Sequence, residues 1–326
     1  MIVRLLPDKK PVSGAVMRTL REFEPYFLTI VDRAAPAISG PSLTAIEAGG
    51  KRLRPALVVI ASDLADSCDH QQLMRACSAV ELVHLASLIH DDVLDRSETR
   101  RGVKTINADH SRNKAVIVGD YLFGLAFEVL AQGGDNSLME PLAEASVALS
   151  SGELLQRQSL RQFDQSVEDY LERIYDKTAA LFVASCKMGA RLGRSDARVE
   201  RALQKYASNL GTAFQIYDDI LDFTGDESNL GKPVGNDVRE GTVTLPMIYA
   251  LRGAGSGILR AALLEPEPHA VEKAVESVCA GTAISEAESL AKQFVDNALE
   301  AVESLPEGRP KKDMVSLGNF VTDRYH

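Results

Sequence analysis

Two groups of aspartates in this 326-residue chain share one spacing. The first group, in "LIHDDVLD", consists of Asp91, Asp92 and Asp95, and the stretch "QIYDDILD" repeats it. In a helix, the first and last carboxylates of such a group lie on one face, where like charges repel by roughly 0.2–0.5 kcal/mol. We expect Gly102 to end the first helix, which puts the carboxylates near its negative pole. A bound cation is therefore expected there.

The ligand types indicate a hard divalent cation. Carboxylates without a cysteine nearby favour such ions. Mg²⁺ commonly binds one or two carboxylates, and water and substrate phosphates complete its coordination shell. The D-x-D-x-D-G pattern of a calcium loop does not occur in the sequence. One such group alone would fit a solvated helix face. Its repetition at Asp218, Asp219 and Asp222, again after an apolar run, favours Mg²⁺ together with a diphosphate.

Basic residues flank the first acidic group. The stretch "GGKRLRP" supplies Lys51, Arg52 and Arg54, and "ETRRG" supplies Arg100 and Arg101. Arginine binds phosphate oxygens through two parallel hydrogen bonds, and lysine acts as a point charge. Each stretch alone would fit a solvated helix start or a capping pair. Beside the carboxylates, they indicate a second anion that basic side chains bind directly.

A histidine is aligned with the first acidic group. His84 lies seven residues before Asp91, and at roughly 100° per residue it shares a helix face with Asp91 and Asp95, whereas His90 points away. A single histidine on an apolar helix is usually a core residue. Here the alignment with two carboxylates favours a binding role.

The elements that must position these residues are helices. Apolar residues recur at three- and four-residue spacing in nearly every long segment, which predicts an all-α protein. The β-like "KAVIVGDYLF" continues into "GLAFEVL", so we predict a helix there as well. The stretch from Gly225 to Thr242 is long and polar enough to act as a lid or binding loop. None of the breaks resembles an interdomain linker, so we expect a single domain over residues 1–326.

Composition excludes several classes of partner. The chain has 36 Lys and Arg against 46 Asp and Glu, a net charge of −10, which disfavours nucleic acid. The four cysteines lack metal-ligand spacing and are too sparse for a disulfide scaffold, and this sparseness indicates a reducing cytoplasm. The start "MIVRLLPDKK" does not resemble a signal peptide, and no run of eighteen uncharged apolar residues occurs. We expect a cytoplasmic protein without stable membrane insertion.

Taken together, five motifs resemble those of the trans-isoprenyl diphosphate synthases, or polyprenyl synthetases. They occur in family order over most of the chain: "GGKRLRP", "LIHDDVLDRSETRRG", "DKTAALF", "FQIYDDILDFTGD" and "LGKPVGND". The resemblance implies an all-α helical bundle, usually a homodimer, with a central cavity between the two acidic motifs. It also implies a Mg²⁺-dependent prenyltransferase that lengthens an allylic diphosphate with isopentenyl diphosphate.

The resemblance assigns a role to each matching position. Asp91, Asp95 and Asp218 would bind Mg²⁺, supported by the other aspartates of the two groups, Asp92, Asp219 and Asp222. Arg100 would contact the allylic diphosphate. The implied ligands of isopentenyl diphosphate are Lys51, Arg54, His84 and Arg101. The implied lining of the reaction centre is Lys177, Thr178, Gln215 and Lys232, with both lysines on the leaving diphosphate.

One position departs from the family pattern. Many relatives have lysine after the glycine in "REGKVTLP", whereas this chain has Thr242. The change removes one cation near the diphosphate but no metal ligand. We therefore still expect activity.

The residues before the first acidic motif bear on product length. Family members with short products generally carry a bulky aromatic residue one turn before it, whereas this chain has Ala86 and Ser87. The helix from Leu73 to Leu88 would line a tunnel of about 24 Å at 1.5 Å per residue. The predicted floor consists of aromatic side chains, which are otherwise simply core: Tyr121, Phe123 and Phe127. We predict a long-chain product.

Three other interpretations are open from the sequence. A terpene cyclase shares the fold, but its second metal motif usually reads N-x-x-x-S-x-x-x-E. A non-catalytic subunit of a heteromeric prenyl synthase tends to lose one acidic motif, and this chain keeps both. A protein-binding helical module with acidic faces would not explain the accompanying basic motifs.

Overall fold

The computed structural model describes residues 11–64, 68–225, 234–253 and 256–323. These residues are almost entirely helical, which confirms the predicted all-α class; their two strands, β1 (Thr99–Arg100) and β2 (Val103–Lys104), pair in an antiparallel hairpin. The α-helices are α1 (Gly14–Asp32), α2 (Pro36–Glu47), α3 (Leu53–Ser62), α4 (His70–Leu94), α5 (Ile106–Asp109), α6 (Arg112–Ala131), α7 (Met139–Gln158), α8 (Val167–Ile174), α9 (Ala180–Leu192), α10 (Ala197–Thr224), α11 (Asn236–Glu240), α12 (Leu245–Ala250), α13 (Ser256–Leu264), α14 (Pro268–Ala280), α15 (Ala283–Glu303) and α16 (Arg309–Asp323). A 3₁₀ turn (Asn136–Leu138) precedes α7, and a π-helical turn (Tyr175–Ala179) joins α8 to α9.

The helices form two compact units. The first is drawn from the described residues within Met1–Ser146, Leu181–Ala207 and Ala301–Leu317. The second is drawn from those within Val147–Ala180, Ser208–Glu300 and Gly318–His326. One acidic group belongs to each unit. The single domain expected over residues 1–326 stays a prediction.

Helix α4 belongs to the first unit and is largely buried. It begins after Asp69, whose side chain accepts a hydrogen bond of 2.9 Å from the backbone N–H of Gln72, a common N-cap arrangement. It packs against α6 and α3. Within the described residues, α4 is the one helix long and apolar enough to cross a membrane, but 67% of that apolar window is buried in the protein. It therefore has the burial of a core helix.

Helix α6 confirms the interpretation of "KAVIVGDYLF". The side chain of Ser111 caps the helix by accepting a hydrogen bond of 3.2 Å from the backbone N–H of Lys114. Gly119 lets α6 approach α4 closely, because a Cβ there would lie 2.1 Å from Nε2 of His90. His90 therefore faces α6, where its Nε2 lies 3.2 Å from the Val116 carbonyl oxygen. Helical geometry predicted that this histidine points away from the acidic group.

The expected stop signal at Gly102 is wrong. Helix α4 ends at Leu94 with Asp95 as its C-cap, well before that glycine. Arg101 and Gly102 instead form the two-residue turn of the β1–β2 hairpin, with φ of 53° and 77°. Positive φ at both positions is what a type I′ hairpin turn requires. The glycine serves this turn rather than the helix end.

In the second unit, α11 is held against the acidic end of α10. The backbone N–H of Gly235 donates to the Asp222 carbonyl oxygen at 2.7 Å, and the N–H of Asp237 donates to Asp222 Oδ2 at 2.9 Å. The stretch from Gly225 to Thr242, which the sequence predicts to be a long loop, therefore contains a short helix, α11, in its described part. Residues 226–233, and with them Lys232, lie outside the described residues.

Candidate active site

The first acidic group lies at the C-terminal end of α4. Asp92 is buried; its Oδ1 accepts a hydrogen bond of 2.9 Å from Nε of Arg100 and lies 2.8 Å from Nη2 of the same guanidinium. Burial raises the pKa of Asp92, and the Arg100 guanidinium opposes that rise. Asp91 and Asp95 are half-buried. The hairpin thus brings Arg100, the implied ligand of the allylic diphosphate, to the acidic group.

The second acidic group lies near the C-terminal end of α10. The hydroxyl of Tyr170 donates to Asp219 Oδ2 at 2.7 Å, and Nε2 of Gln215 donates to Asp219 Oδ1 at 2.8 Å. Burial raises the pKa of Asp219 to about 6, against these hydrogen bonds and the charge of Arg173, which lower it. Asp218, one position earlier, is half-buried.

The six aspartates fall into two classes. Three are buried and accept hydrogen bonds from neighbouring protein groups, and these are the implied supporting residues, Asp92, Asp219 and Asp222. The other three are half-buried, and these are the implied metal ligands, Asp91, Asp95 and Asp218. Each motif therefore has one part fixed in the protein and one part nearer solvent.

These carboxylates fit a Mg²⁺ site that is shared with a substrate, and not a site in which protein side chains supply every ligand. Within the described residues, no three Asp, Glu, His or Cys side chains converge closely enough to hold a metal by themselves. Mg²⁺ does not need such a cage, because it usually retains water and is shared with substrate phosphates. The half-buried carboxylates could bind the metal from one side and leave its other positions to a diphosphate.

Basic side chains surround His84 on α4, before the acidic end of the same helix. Burial lowers the pKa of His84 well below its ordinary value, and the charges of Arg54, Arg101, Arg100 and Arg52 lower it further. The histidine is therefore neutral at pH 7 and can donate one hydrogen bond. Of the implied ligands of isopentenyl diphosphate, Arg54, His84 and Arg101 thus lie close enough to interact electrostatically.

Gly50 lies where the two basic stretches meet. A Cβ at this position would lie 3.0 Å from Nη1 of Arg52 and 3.4 Å from Nη1 of Arg101. Both Lys51 and Arg54 are half-buried, and the Arg54 guanidinium stacks 5.1 Å from the centre of the Phe182 ring. The "GGKRLRP" loop therefore lies within van der Waals reach of the hairpin residue Arg101.

Arg52 does not belong to the exposed part of the basic cluster. Its side chain is only 5% exposed; its Nε lies 2.6 Å from Glu24 Oε1, and its Nη1 lies 2.6 Å from Glu81 Oε1. Burial lowers the pKa of Arg52, but the charges and hydrogen bonds of Glu81 and Glu24 outweigh burial and raise the pKa overall. Arg52 therefore joins the loop to α1 and α4 and is not available to a substrate.

The implied reaction-centre residues cluster in the second unit, in so far as the structure describes them. The Lys177 ammonium lies 2.6 Å from Glu153 Oε2. The hydroxyl of Thr178 donates to Gln215 Oε1 at 2.7 Å, and Gln215 in turn donates to Asp219. A continuous chain of hydrogen bonds therefore joins the π-helical turn to the second acidic group.

Arg173 is a cation of this unit that sequence reasoning missed. It is buried, and its Nη2 donates to the Val243 carbonyl oxygen at 2.7 Å, beside the variant position Thr242. Burial lowers the pKa of Arg173, while the nearby charges of Asp219 and Asp237 act in the opposite direction. Its helical position among mixed apolar and polar neighbours in "YLERIYDK" carries no signal that would distinguish it.

The implied chain-length positions differ in burial. Ala86 is fully buried, whereas Ser87 is half-buried and donates its hydroxyl to the His84 carbonyl oxygen at 2.8 Å. The predicted tunnel floor lies on α6, which packs against α4. All three of its aromatic side chains are half-buried, namely Tyr121, Phe123 and Phe127.

Comparison with known proteins identifies the family. Residues 35–279 match the family model described as polyprenyl synthetase. The chain belongs to the polyprenyl synthetase family. It is an enzyme, a trans-prenyltransferase of the polyprenyl diphosphate synthase type, and the resemblance read from the motifs is confirmed.

Named relatives of this family match over nearly their whole length. The chain is 36% identical to "Heptaprenyl diphosphate synthase component 2" of Geobacillus stearothermophilus, covering 90% of this chain and 93% of the relative. It is 33% identical to "Octaprenyl diphosphate synthase" of Haemophilus influenzae, with 89% of each covered. It is 36% identical to "Short chain isoprenyl diphosphate synthase" of Methanothermobacter thermautotrophicus, with 86% and 88% covered.

Solved structures of the family share the fold. A heptaprenyl diphosphate synthase from Staphylococcus aureus aligns with a TM-score of 0.90 and 32% identity over 95% of this chain and 99% of that one. A polyprenyl synthase from Caulobacter crescentus, complexed with calcium and isoprenyl diphosphate, aligns with a TM-score of 0.88 and 34% identity over 98% and 100%. The predicted isoprenoid-synthase bundle is confirmed as the fold class.

Proposed function

We propose that this trans-prenyltransferase condenses isopentenyl diphosphate with an allylic diphosphate, uses Mg²⁺, and makes a long-chain product. One observation carries the proposal. Helix α4 carries His84 within the basic cluster and, at its C-terminal end, the carboxylates of Asp91 and Asp95. The basic cluster suits a diphosphate that is bound directly, and the carboxylates suit a diphosphate that is bound through a metal ion. A two-diphosphate reaction needs both.

The binding roles follow from these surroundings. The direct site would bind isopentenyl diphosphate through the cationic side chains of Lys51, Arg54 and Arg101 and an N–H of neutral His84. The allylic diphosphate would bind with Mg²⁺ at Asp91, Asp95 and Asp218, with Arg100 as a further contact. The Caulobacter crescentus relative, complexed with calcium and isoprenyl diphosphate, supports a divalent cation in this role.

Catalysis would consist mainly of stabilising charge. Bound Mg²⁺ would neutralise negative charge on the departing diphosphate. Lys177, Lys232 and Arg100 would add fixed positive charge there as the carbon–oxygen bond breaks. The double bond of isopentenyl diphosphate then forms the new carbon–carbon bond with the allylic cation, and the departed diphosphate accepts the proton that is lost. Apolar walls would keep water from the cation.

A direct assay tests this reaction. The purified chain is incubated with isopentenyl diphosphate, one of several allylic starters and Mg²⁺, and the products are sized by chromatography. We expect elongation with Mg²⁺ and a fall to background when EDTA exceeds the metal, with recovery when Mg²⁺ is added back. Undiminished elongation in EDTA would rule out the metal role.

The product-length proposal rests on the small residues before Asp91. Ala86 and Ser87 occupy the positions where a bulky aromatic side chain would limit chain growth. Relatives carry names that range from short-chain to octaprenyl diphosphate synthases, so family membership does not decide the length. The absence of an aromatic residue from Leu28 to Asp120 supports a long chain.

Substituting Ser87 by phenylalanine is expected to shorten the main product by at least one isoprene unit. The position is half-buried, and under the tunnel assignment the added ring would occupy the space proposed for the growing chain, whereas overpacking a closed core would cost about 1–3 kcal/mol of stability. Ser87→Ala is the control, because it removes the hydroxyl without adding bulk. Products are sized with the same starter, and an unchanged length for Ser87→Phe would refute the tunnel assignment.

Assembly has two candidate forms. The family resemblance supports a homodimer, whereas the name "component 2" of the Geobacillus stearothermophilus relative supports one subunit of a heteromeric synthase. The purified chain distinguishes them: activity at a homodimer mass supports the first, and activity that depends on a second protein supports the second. Location in the cytoplasm stays a prediction.

A further inference from the structure

A glycine on α7 lies directly against the π-helical turn. A Cβ added at Gly152 would lie 2.6 Å from the backbone N of Lys177 and 2.9 Å from Cβ of Asp176. Such distances are well inside van der Waals contact, and the nearest atom belongs to the main chain. A larger residue would therefore displace either α7 or the turn that carries Lys177.

The next residue on α7 binds the side chain of the same lysine. Oε2 of Glu153 lies 2.6 Å from Nζ of Lys177, with side-chain exposures of 15% and 24%. Oε1 of Glu153 accepts a hydrogen bond of 2.9 Å from Nε of Arg157. Arg157 fixes the position of the Glu153 carboxylate. Glu153 therefore fixes the orientation of the Lys177 side chain that it binds.

The π-helical turn gives this contact local importance. Residues Tyr175–Ala179 interrupt the α-helical register between α8 and α9, and such turns occur frequently at functional sites. Within the turn, Thr178 donates to Gln215 on α10. The turn is thus fixed on one side by the hydrogen bond to α10 and on the other by close approach to α7.

We propose that Gly152 and Glu153 are positioning residues for Lys177. Gly152 permits the backbone approach that sets where the turn lies, and Glu153 orients the ammonium. The inference rests on the proposed function, in which Lys177 contacts the leaving diphosphate. A displacement of about 1 Å in such a group can cost on the order of 100-fold in rate.

The first test compares two helical glycines. Gly152→Ala is expected to lower kcat about 100-fold and to leave KM for isopentenyl diphosphate within about twofold, because the proposed ligands of that substrate lie on other segments. Gly40→Ala on α2 is the matched control, since a Cβ there would meet nothing within 4 Å. A Gly152→Ala enzyme with normal kcat and only a lower melting temperature would overturn the inference.

The second test asks whether Gly152 acts through the lysine. Lys177→Met removes the ammonium, and adding Gly152→Ala to it is expected to change kcat by less than about threefold, because residues acting as a unit are not additive. A further 100-fold loss in the double variant would overturn the positioning role. A normal kcat in Lys177→Met alone would instead overturn the proposed role of Lys177. The two failures are therefore distinguishable, because one appears in the single variant and the other in the double variant.

A third variant keeps the test valid if Gly152→Ala does not fold. Glu153→Gln preserves the shape of the side chain and removes its charge. We expect kcat to fall about tenfold in the wild-type background and to be unchanged in the Lys177→Met background. Equal losses in both backgrounds, or no loss in either, would contradict the inference.

Discussion

Replacement of Asp91 by asparagine is expected to lower kcat by about 10²–10³-fold at saturating substrate and Mg²⁺. Asparagine keeps the shape and one oxygen acceptor but removes the charge with which a carboxylate binds a hard cation. Asp91 is half-buried beside Asp92, which Arg100 already engages. The loss therefore falls on the proposed metal ligand and leaves the buried part of the motif intact.

A second measurement separates metal binding from catalysis. Mg²⁺ with inorganic diphosphate should raise the melting temperature of the wild-type protein, since a ligand that binds the folded state stabilises it, and this rise should shrink in Asp91→Asn. Asp32→Asn is the matched control, because Asp32 is an exposed carboxylate at the last position of α1. If Asp91→Asn retains both normal kcat and the full melting shift, Asp91 is not a metal ligand.

The sequence predicted best what depends on periodicity. Apolar residues at helical spacing predicted the all-α fold, including α6, whose short β-like run belongs to one continuous helix. The β1–β2 hairpin escaped prediction because strands of two residues are too short to show an alternating pattern. Gly102 was consequently assigned to a helix end, although its turn lies beyond the C-cap at Asp95.

The acidic and basic motifs predicted residue types but not their division of labour. Spacing alone cannot distinguish a carboxylate such as Asp219, which Tyr170 and Gln215 engage, from the half-buried Asp218 beside it. That difference arises because Tyr170 comes from α8, a distant segment of the chain. The contact of Gly152 with Lys177 is likewise a tertiary contact that no local pattern encodes.

Arg52 shows how a basic run can mislead. Within "GGKRLRP" it resembles a phosphate ligand, yet its guanidinium is buried against two carboxylates. A signal did exist elsewhere: Glu81 interrupts the apolar run "ACSAVELVHLASLI", and a buried carboxylate normally requires a cationic partner. The sequence could thus predict that Glu81 has a partner, but not which arginine it is.

Arg52→Met is expected to lower the free energy of unfolding by about 3–5 kcal/mol, because it leaves Glu24 and Glu81 buried without their cation. Residue 52 has a left-handed backbone with φ of 50°. Arginine and methionine both have unbranched side chains with a Cβ, so the substitution does not change the backbone strain at this position. The change is measured by equilibrium urea unfolding. Arg309→Met is the control: its partner Asp63 lies 2.6 Å away, but Arg309 is 53% exposed, and exposed pairs contribute only about 0–1 kcal/mol.

A triple variant distinguishes the charge from the packing of this buried triad. Replacing Glu24, Arg52 and Glu81 together by methionine should recover most of the stability lost in Arg52→Met, since apolar residues of similar volume often replace a buried ion network at little cost. Recovery would show that the uncompensated carboxylates, and not lost packing, destabilise the single variant. If instead Arg52→Met unfolds like the wild-type protein, the two glutamates do not depend on Arg52, and the triad does not hold the loop that carries Lys51 and Arg54 to α1 and α4.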